Sequence, residues 1–342
     1  MNRIVVAIVA LAVAIVLLAT PPALGRLTES RVRERVAALD ESGVLSAEVK
    51  SFERGWFSSS AKIELGLAPA YLAQVGARLG TDLDGRATIA VSFTHGPVTI
   101  RNGIHLGWST MVARLDPSTS GIADLEQQLG VPYLFEFRGH TGLTGALDFD
   151  ADVPPMDVPT GVAQFKFSGA VLEGTYTRAR LVSGARVDSV EFSSPTGTFA
   201  LHDLRAKTNS RILSRYIAPG EGEFSIASIT ATSPLRGGAP LFEMQGLKMT
   251  SNTAVDDAGA LLDVNATYGL DRLHLVDNDV SDASVGLALR NLDVVALRSY
   301  GEAMRELAVN PDDDRDEALA ALAPHVQRDI DVSHIKSLKR AA

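Results

Sequence analysis

The pattern of hydrophobic and polar positions begins with an unbroken apolar run, Ile4–Ala19. These 16 residues would form about 24 Å of helix, and Thr20–Leu24 extends them to the length that spans a bilayer core. A soluble helix would carry a polar face, which this run lacks. We therefore predict a transmembrane signal anchor over residues 1–25. The alternative is a secretory signal cleaved after Gly25, but the run is longer than the roughly 7–15 apolar residues usual for one.

Residues 26–43 show the spacing of an amphipathic helix, with Thr28 as N-cap and Gly43 as its end. Three apolar residues share one face of it: Val32, Val36 and Leu39. Arginines occupy the other faces of this juxtamembrane helix. A packing or stalk role is favoured over specific lipid binding.

From residue 44 to residue 290 the period changes to two, which is typical of half-buried strands. The first two strands, Val44–Glu53 and Trp56–Leu67, form a hairpin around Arg54-Gly55. The same alternation predicts further strands: Ala87–Thr94, Val98–Arg101, Ile104–Leu115, Leu134–Arg138, Gly142–Val153, Val162–Leu172, Leu261–Leu275 and Val285–Leu289. Two short helices interrupt them: Pro69–Leu79 and Ile122–Leu129.

A unit of strand, Ser-Pro turn and strand occurs twice, about 40 residues apart. Ser189–Pro195 leads to Phe199–Asn209, and Ser228–Pro234 leads to Phe242–Asn252. Such a unit buries its apolar face only against its neighbours. We therefore predict a long antiparallel meander of hairpins that curls into an apolar trough.

Residues 291–342 return to helical spacing. Leu292–Val309 has apolar residues near one face, and Asp312–Ile330 opens with three Asp residues that suit the positive end of a helix dipole. The predicted fold class is mainly β with accessory α. An N-terminal transmembrane helix precedes a large, twisted antiparallel meander sheet built of hairpin units.

Composition and charge exclude several classes of protein. A net charge of −9, a pI near 5.3 and the lack of a Lys/Arg block argue against a nucleic-acid surface. The absence of Cys excludes disulfides, thiolate metal sites and Cys nucleophiles. The arginines after the apolar run weakly oppose translocation of the body, but long domains translocate largely regardless of charge. We expect the bulk of the chain outside the cytoplasmic membrane.

No pattern of catalytic or metal-ligating residues is evident. The seven His stand in no HExxH or HxH arrangement, and GxSxG is absent. His95, in a rigid His-Gly-Pro turn, is interpreted as a hydrogen-bonding corner rather than a general base. Asp277–Asp282 resembles half of a calcium loop, but Ala283 and Ala288 replace the expected Gly and Glu, so a polar turn is favoured. The sequence predicts a non-enzyme with no catalytic, cofactor or metal residues.

One set of residues is more specific, because it joins the first hairpin to the His-Gly-Pro turn one strand later. Its members are Arg54, Gly55, Trp56, Phe57, Ser58, Ser59, His95, Gly96 and Pro97. With the N-terminal anchor and Asn291-Leu292-Asp293, this signature resembles the YdgA-like family of bacterial envelope proteins, a domain family of unknown function. The resemblance covers most of the chain and implies an inner-membrane anchor and a periplasmic body. Members of that family continue further, so it also implies a truncated or altered end at Ala342.

The signature also has a structural interpretation, as a hairpin that nucleates folding. Gly55 would take a positive φ in a tight turn. Phe57 would fill the core. Trp56 would lie at the wet face or cover the end of the sheet, and Arg54 would stack on Trp56.

These patterns are compatible with two functions. The first is a membrane-anchored periplasmic module, without catalytic activity, that binds lipid or other hydrophobic envelope components in its trough. The alternative is a structural or interaction protein of the envelope, acting through protein partners or self-association. The expected partners are the inner membrane through residues 4–24, a hydrophobic ligand or further copies of the chain, and no nucleic acid.

Overall fold

The computed structural model describes residues 25–37, 39, 45–67, 86–96, 98–99, 105–119, 122–214, 217–234, 239–276 and 278–299. The predicted anchor, the predicted helices Pro69–Leu79 and Asp312–Ile330, and Pro97 lie outside these residues. Of the helices in the described ranges, none has the length and hydropathy to cross a membrane. The described chain is mainly antiparallel β-structure with few helices, and it falls into two compact units.

The first unit holds the described residues of 25–124 together with Phe135–Asp150. Its strands are β1 (Leu45–Arg54), β2 (Ser58–Leu67), β3 (Arg86–His95), β4 (Val98–Thr99), β5 (His105–Leu115), β6 (Glu136–Gly142) and β7 (Leu147–Val153), the last of which begins in this unit. The sheet order is β1-β2-β3-β5-β6-β7, and β4 pairs with β5. The predicted hairpin of the first two strands is confirmed as β1 and β2.

The core of the first unit lies between one face of this sheet and the helix at residues 25–37. Because side chains alternate along a strand, Ala61 on β2 and Val91 and Phe93 on β3 point to the same face, where each is less than a tenth exposed. Val32 packs against this cluster, and Val36 is also buried.

Two buried carboxylates of the first unit pair with basic side chains. Glu136 on β6 contacts Arg114 of β5, and Arg138 donates to it over 2.6 Å. Burial alone would raise the pKa of Glu136, but the hydrogen bonds and charges of the two arginines outweigh burial and lower it. Asp116 follows β5 and pairs with Lys62 of β2 at 2.6 Å, which lowers its pKa. These pairs keep the buried carboxylates ionised, since an unpaired buried charge is costly.

The second unit holds the described residues of Leu125–Leu134 and of 151–299. Its strands are β8 (Met156–Thr160), β9 (Ala163–Phe167), β10 (Ala170–Tyr176), β11 (Arg180–Ser194), β12 (Gly197–Arg211), β13 (Gly220–Thr232), β14 (Pro240–Val255), β15 (Leu261–Leu275) and β16 (Asn278–Asp293). β10 to β16 pair in chain order as an antiparallel meander, and β9 pairs with β8 and β11.

Both copies of the predicted repeat are confirmed as consecutive hairpins, β11–β12 and β13–β14. The predicted single strand Val162–Leu172 is wrong. Gly169, at a φ of 92°, ends β9 before β10 begins, and both strands then pair with β11. A glycine is required there because L side chains disfavour this conformation.

A transverse row of residues, which runs across the strands of the second unit, interrupts the cross-strand pairing. The register is the same on both sides of this row. One residue from each strand from β11 to β16 belongs to it: Asp188, Asp203, Ala227, Gly246, Asp271 and Asp282. In alternate strands the row residue has a positive φ, at 54° for Asp203, 64° for Gly246 and 50° for Asp282. The apolar residues on either side of this row, such as Val187 and Val190 on β11, are three positions apart instead of two, and we therefore assign them to the same face.

The sheet of the second unit has one apolar and one polar face. Cross-strand partners on the apolar face include Phe192, Phe199, Phe224, Met249, Tyr268 and Val285. Partners on the other face include Arg186, Arg205, Ser225 and Lys248. A buried cluster of Ile217, Leu262 and Val294 closes one end of the unit.

The predicted helix Ile122–Leu129 is confirmed with the same bounds. Residues 294–299 are helical at the start of the predicted helix Leu292–Val309, whose remainder lies outside the described residues.

Candidate functional site

The pairing of β2 with β3 brings the two parts of the signature together. Ser58 lies opposite Thr94, and Ser59 lies opposite Phe93. The backbone N–H of His95 donates to the carbonyl of Phe57 over 2.7 Å. The Arg-Gly-Trp-Phe-Ser-Ser stretch and the His-Gly turn therefore form one cluster at one end of the first sheet.

A buried hydrogen bond between Ser59 and His95 lies at the centre of this cluster. Ser59 Oγ and His95 Nε2 are 2.8 Å apart, and the two residues are 5% and 2% exposed. The ring of Phe93 stacks on the imidazole with centroids 6.3 Å apart. An added Cβ on Gly25 would lie 3.7 Å from Ser59 Oγ and 3.8 Å from His95 Nε2, so the start of the helix covers the pair.

The chemistry of this Ser–His pair favours a structural role. In a Ser-His-Asp triad the second imidazole nitrogen is held by a carboxylate. Here His95 Nδ1 is buried and has no hydrogen-bond partner among the described residues. The serine lies beneath Phe93 and Gly25 rather than in an open cleft. The pair therefore joins β2 and β3 beneath the helix, and neither atom is placed to attack a substrate.

Burial lowers the pKa of His95, because the imidazolium would lose hydration without gaining a charged partner. A base with a lowered folded pKa stabilises the fold above its unfolded pKa. That stability is lost as the pH falls from about 6.5 towards the folded value. Wild type should therefore lose up to about 1.4 kcal/mol per pH unit through this group, and His95→Gln should abolish that component. Urea unfolding between pH 7 and 5 measures it. An unchanged slope in His95→Gln, or the same loss of slope in His202→Gln, would contradict this account.

The turn at Gly55 differs from its prediction. Positive φ values occur at other glycines of the described chain, and Gly55 is not among them, so the predicted positive φ is wrong. Its N–H donates to Ser58 O over 2.7 Å, and an added Cβ would lie 2.8 Å from that oxygen. Glycine is required because the backbone approaches this closely. In Gly96 the conformation itself requires glycine, at a φ of 147°.

Trp56 is exposed, as its prediction at the wet face requires, but Phe57 and Arg54 differ from their predictions. Trp56 and Phe57 are 56% and 52% exposed, so Phe57 does not fill the core. Arg54 pairs with Glu29 of the helix, Nε to Oε2 at 3.1 Å, instead of stacking on Trp56. This ion pair fastens the hairpin to the helix, while the Ser59–His95 hydrogen bond joins β2 to β3 beneath the helix.

Sequence reasoning missed the residues that surround the signature, because long-range contacts bring them there. Gly96 donates to the carbonyl of Trp108 over 3.3 Å. The indole N–H of Trp108 donates to Leu143 O over 2.8 Å. The only sequence signal was the rarity of tryptophan, which occurs twice in the chain.

The remaining candidate residues form no catalytic or metal site in the described parts of the chain. His274 and Arg272 both pair with Asp279, and the hydrogen bond from His274 is the main cause that lowers the pKa of Asp279. No group of three or more His, Asp or Glu side chains in the described ranges is arranged to hold a metal ion. Asp277 of the calcium-like stretch lies outside those ranges. A shallow groove of about 530 Å³ at the ends of β11–β14 is lined by residues that include Arg180, Asn209 and Arg211.

Neither the search of curated proteins nor that of solved structures finds a match. A family model matches residues 1–328, nearly the whole chain, and its description is a bacterial protein of unknown function, DUF945. The chain belongs to this DUF945 family of bacterial proteins.

Proposed function

We propose that the protein is a module of the bacterial inner membrane that binds lipid or another hydrophobic envelope component and has no catalytic activity. Residues 4–24 anchor it, and the bulk of the chain lies in the periplasm. The finer resemblance to the YdgA-like envelope proteins supports this location. The apolar face of the second unit is the observation that carries the binding proposal.

That face is continuous across six strands. One row of cross-strand partners consists of Val190, Leu201, Ile229, Met244, Leu273 and Val280. Parallel rows run through Phe192 and Phe199 on one side and Phe224 and Tyr268 on the other. Six strands cover about 24 Å at 4.8 Å per spacing, which exceeds the roughly 15 Å depth of one leaflet of a bilayer core. An acyl chain can therefore lie across the strands in contact with apolar side chains alone.

Large side chains on this face remain open to solvent. Phe192, Phe199, Tyr268 and Val285 are 42%, 39%, 42% and 49% exposed. Contiguous exposed apolar surface of this kind is uncommon in soluble proteins and marks interaction sites. Covering the exposed part of each of these side chains contributes about 1 kcal/mol, less than half of the value for full burial. Occupation of the face by lipid would therefore be favourable.

The test is the lipid content of the full chain purified from bacterial membranes in mild detergent. We expect phospholipid to co-purify, and delipidated protein to take phospholipid up again from vesicles. Phe192→Glu should reduce both by about tenfold, because it places a charge against the acyl chain. The matched control is Ser193→Glu, which adds the same charge one residue further on, on the polar face.

Self-association is the alternative, since the same face suits a second copy of the chain. A lipid-free protein that takes up no phospholipid would overturn the binding proposal. A lipid-free dimer that Phe192→Glu dissociates and Ser193→Glu leaves intact would establish the alternative.

A further inference from the structure

We infer that one end of the first unit lies in the headgroup region of the same bilayer that residues 4–24 enter. This surface, the aromatic end, consists of five exposed side chains: Leu27, Trp56, Phe57, Trp108 and Leu143. The inference takes membrane anchorage from the proposed function. It does not depend on lipid binding by the second unit.

The aromatic end is unusually apolar for an exposed surface. Its side chains are 47% (Leu27), 56% (Trp56), 52% (Phe57), 42% (Trp108) and 57% (Leu143) exposed. Both tryptophans of the 342-residue chain are among them. Trp and Tyr concentrate at membrane–water interfaces, where an amphipathic ring sits at the level of the headgroups.

Hydrogen bonds show that these residues share one end of the sheet. Trp56 and Phe57 form the turn between β1 and β2, and Phe57 O accepts from the His95 N–H. His95 is followed by Gly96, which donates to Trp108 O at the start of β5. Trp108 in turn donates to Leu143 O in the turn after β6. The same end of the sheet therefore holds Trp56, Phe57, Trp108 and Leu143 on strands that these hydrogen bonds join.

The predicted anchor reaches the described chain at this surface. Gly25 is buried against the Ser59–His95 pair, which joins the same strand ends. Residue 24 is the last of the apolar segment, so the bilayer boundary lies within a few residues of Gly25. Arg26, exposed beside it, supplies a cation suited to lipid phosphates. Of the partners an apolar surface can have, the bilayer is the one that this chain itself brings to it.

Intrinsic fluorescence of the full chain in phosphatidylcholine vesicles tests the inference, because Trp56 and Trp108 are its only tryptophans. We expect phospholipid brominated near the headgroup end of its acyl chains to lower the emission about two-fold. Bromination near the bilayer centre should have less effect. Trp56→Phe and Trp108→Phe leave one reporter each, and both should be quenched.

Phe57→Asp should reduce this quenching, because it places a charge in the aromatic end without disturbing a buried contact. Ser60→Asp is the matched control, exposed on β2 and outside the aromatic end. Flotation of the vesicles measures anchorage separately. If the protein floats with the vesicles but its tryptophans are not quenched, the inference is overturned and anchorage is left intact. The aromatic end would then be a surface for a protein partner. Protein that does not float overturns both.

Discussion

Replacing Phe93 with alanine is expected to remove about 3–5 kcal/mol from the free energy of unfolding of the first unit. Phe93 is 6% exposed and packs with Ala61 and Val91 under the N-terminal helix. Its ring also lies 6.2 Å from Phe52 and 6.3 Å from the His95 imidazole. The substitution creates a cavity next to the Ser59–His95 hydrogen bond, and the sheet cannot close it without moving two strands.

Urea unfolding of the full chain, followed by tryptophan emission, measures this loss. Both tryptophans belong to the first unit, so the signal reports that unit alone. Phe57→Ala is the matched control: it deletes the same side chain from a position that is 52% exposed, and it should cost less than about 1 kcal/mol. Equal midpoints for the two variants would contradict the assignment of Phe93 to the core.

Much of the fold could be predicted because it depends on local pattern. The alternation of apolar and polar residues along Ser58–Leu67 identified β2. The helical spacing of the short segment Ile122–Leu129 identified a helix with its observed bounds. The break at Gly169 was missed because the apolar content continues across it. The transverse row had a sequence signal, since Val187 and Val190 are three residues apart within a two-residue period.

The signature cluster could be predicted only in part, because its geometry depends on register. The turn position follows from Arg54-Gly55, but the contact of Ser59 with His95 joins residues 36 positions apart. No local rule gives that pairing. Phe57 is exposed because it lies one residue before β2 begins. It is outside the strand whose alternation directs side chains into the core.

The arrangement gives the signature a physical meaning without catalysis. Gly55 allows close backbone approach, and Gly96 takes a conformation that requires glycine. Ser59 and His95 fasten the strands under the helix. Together they hold Trp56 and its neighbours outward at the point where the chain leaves its apolar segment. Under the proposed membrane anchorage, the signature is the part of the chain that fixes the body against the bilayer.

In the second unit, Gly246→Ala is expected to cost about 2–6 kcal/mol, from two additive causes. Gly246 has a φ of 64°, which costs an L side chain roughly 1–3 kcal/mol. An added Cβ would also overlap the side chain of Asp271 on β15, with Asp271 Cβ at 2.8 Å, and such overpacking costs about 1–3 kcal/mol. Because Gly246 belongs to the transverse row, strain there loosens β14 from both neighbouring strands.

Gly259→Ala separates the two causes. Gly259 lies in the turn after β14 at a φ of 72°, and an added Cβ there meets nothing within 4 Å. Gly259→Ala should therefore show the conformational cost alone. Adding Asp271→Ala to Gly246→Ala should recover the part of the steric cost that the Asp271 carboxylate causes, because alanine retains Cβ. Hydrogen exchange of the β14 and β15 amides, read by mass spectrometry, measures the loss as roughly 30-fold or greater acceleration at 2 kcal/mol or more. If Gly246→Ala and Gly259→Ala accelerate exchange equally, the side chain of Asp271 makes no steric contact with residue 246. That result would refute the tight packing of β14 against β15 at this point.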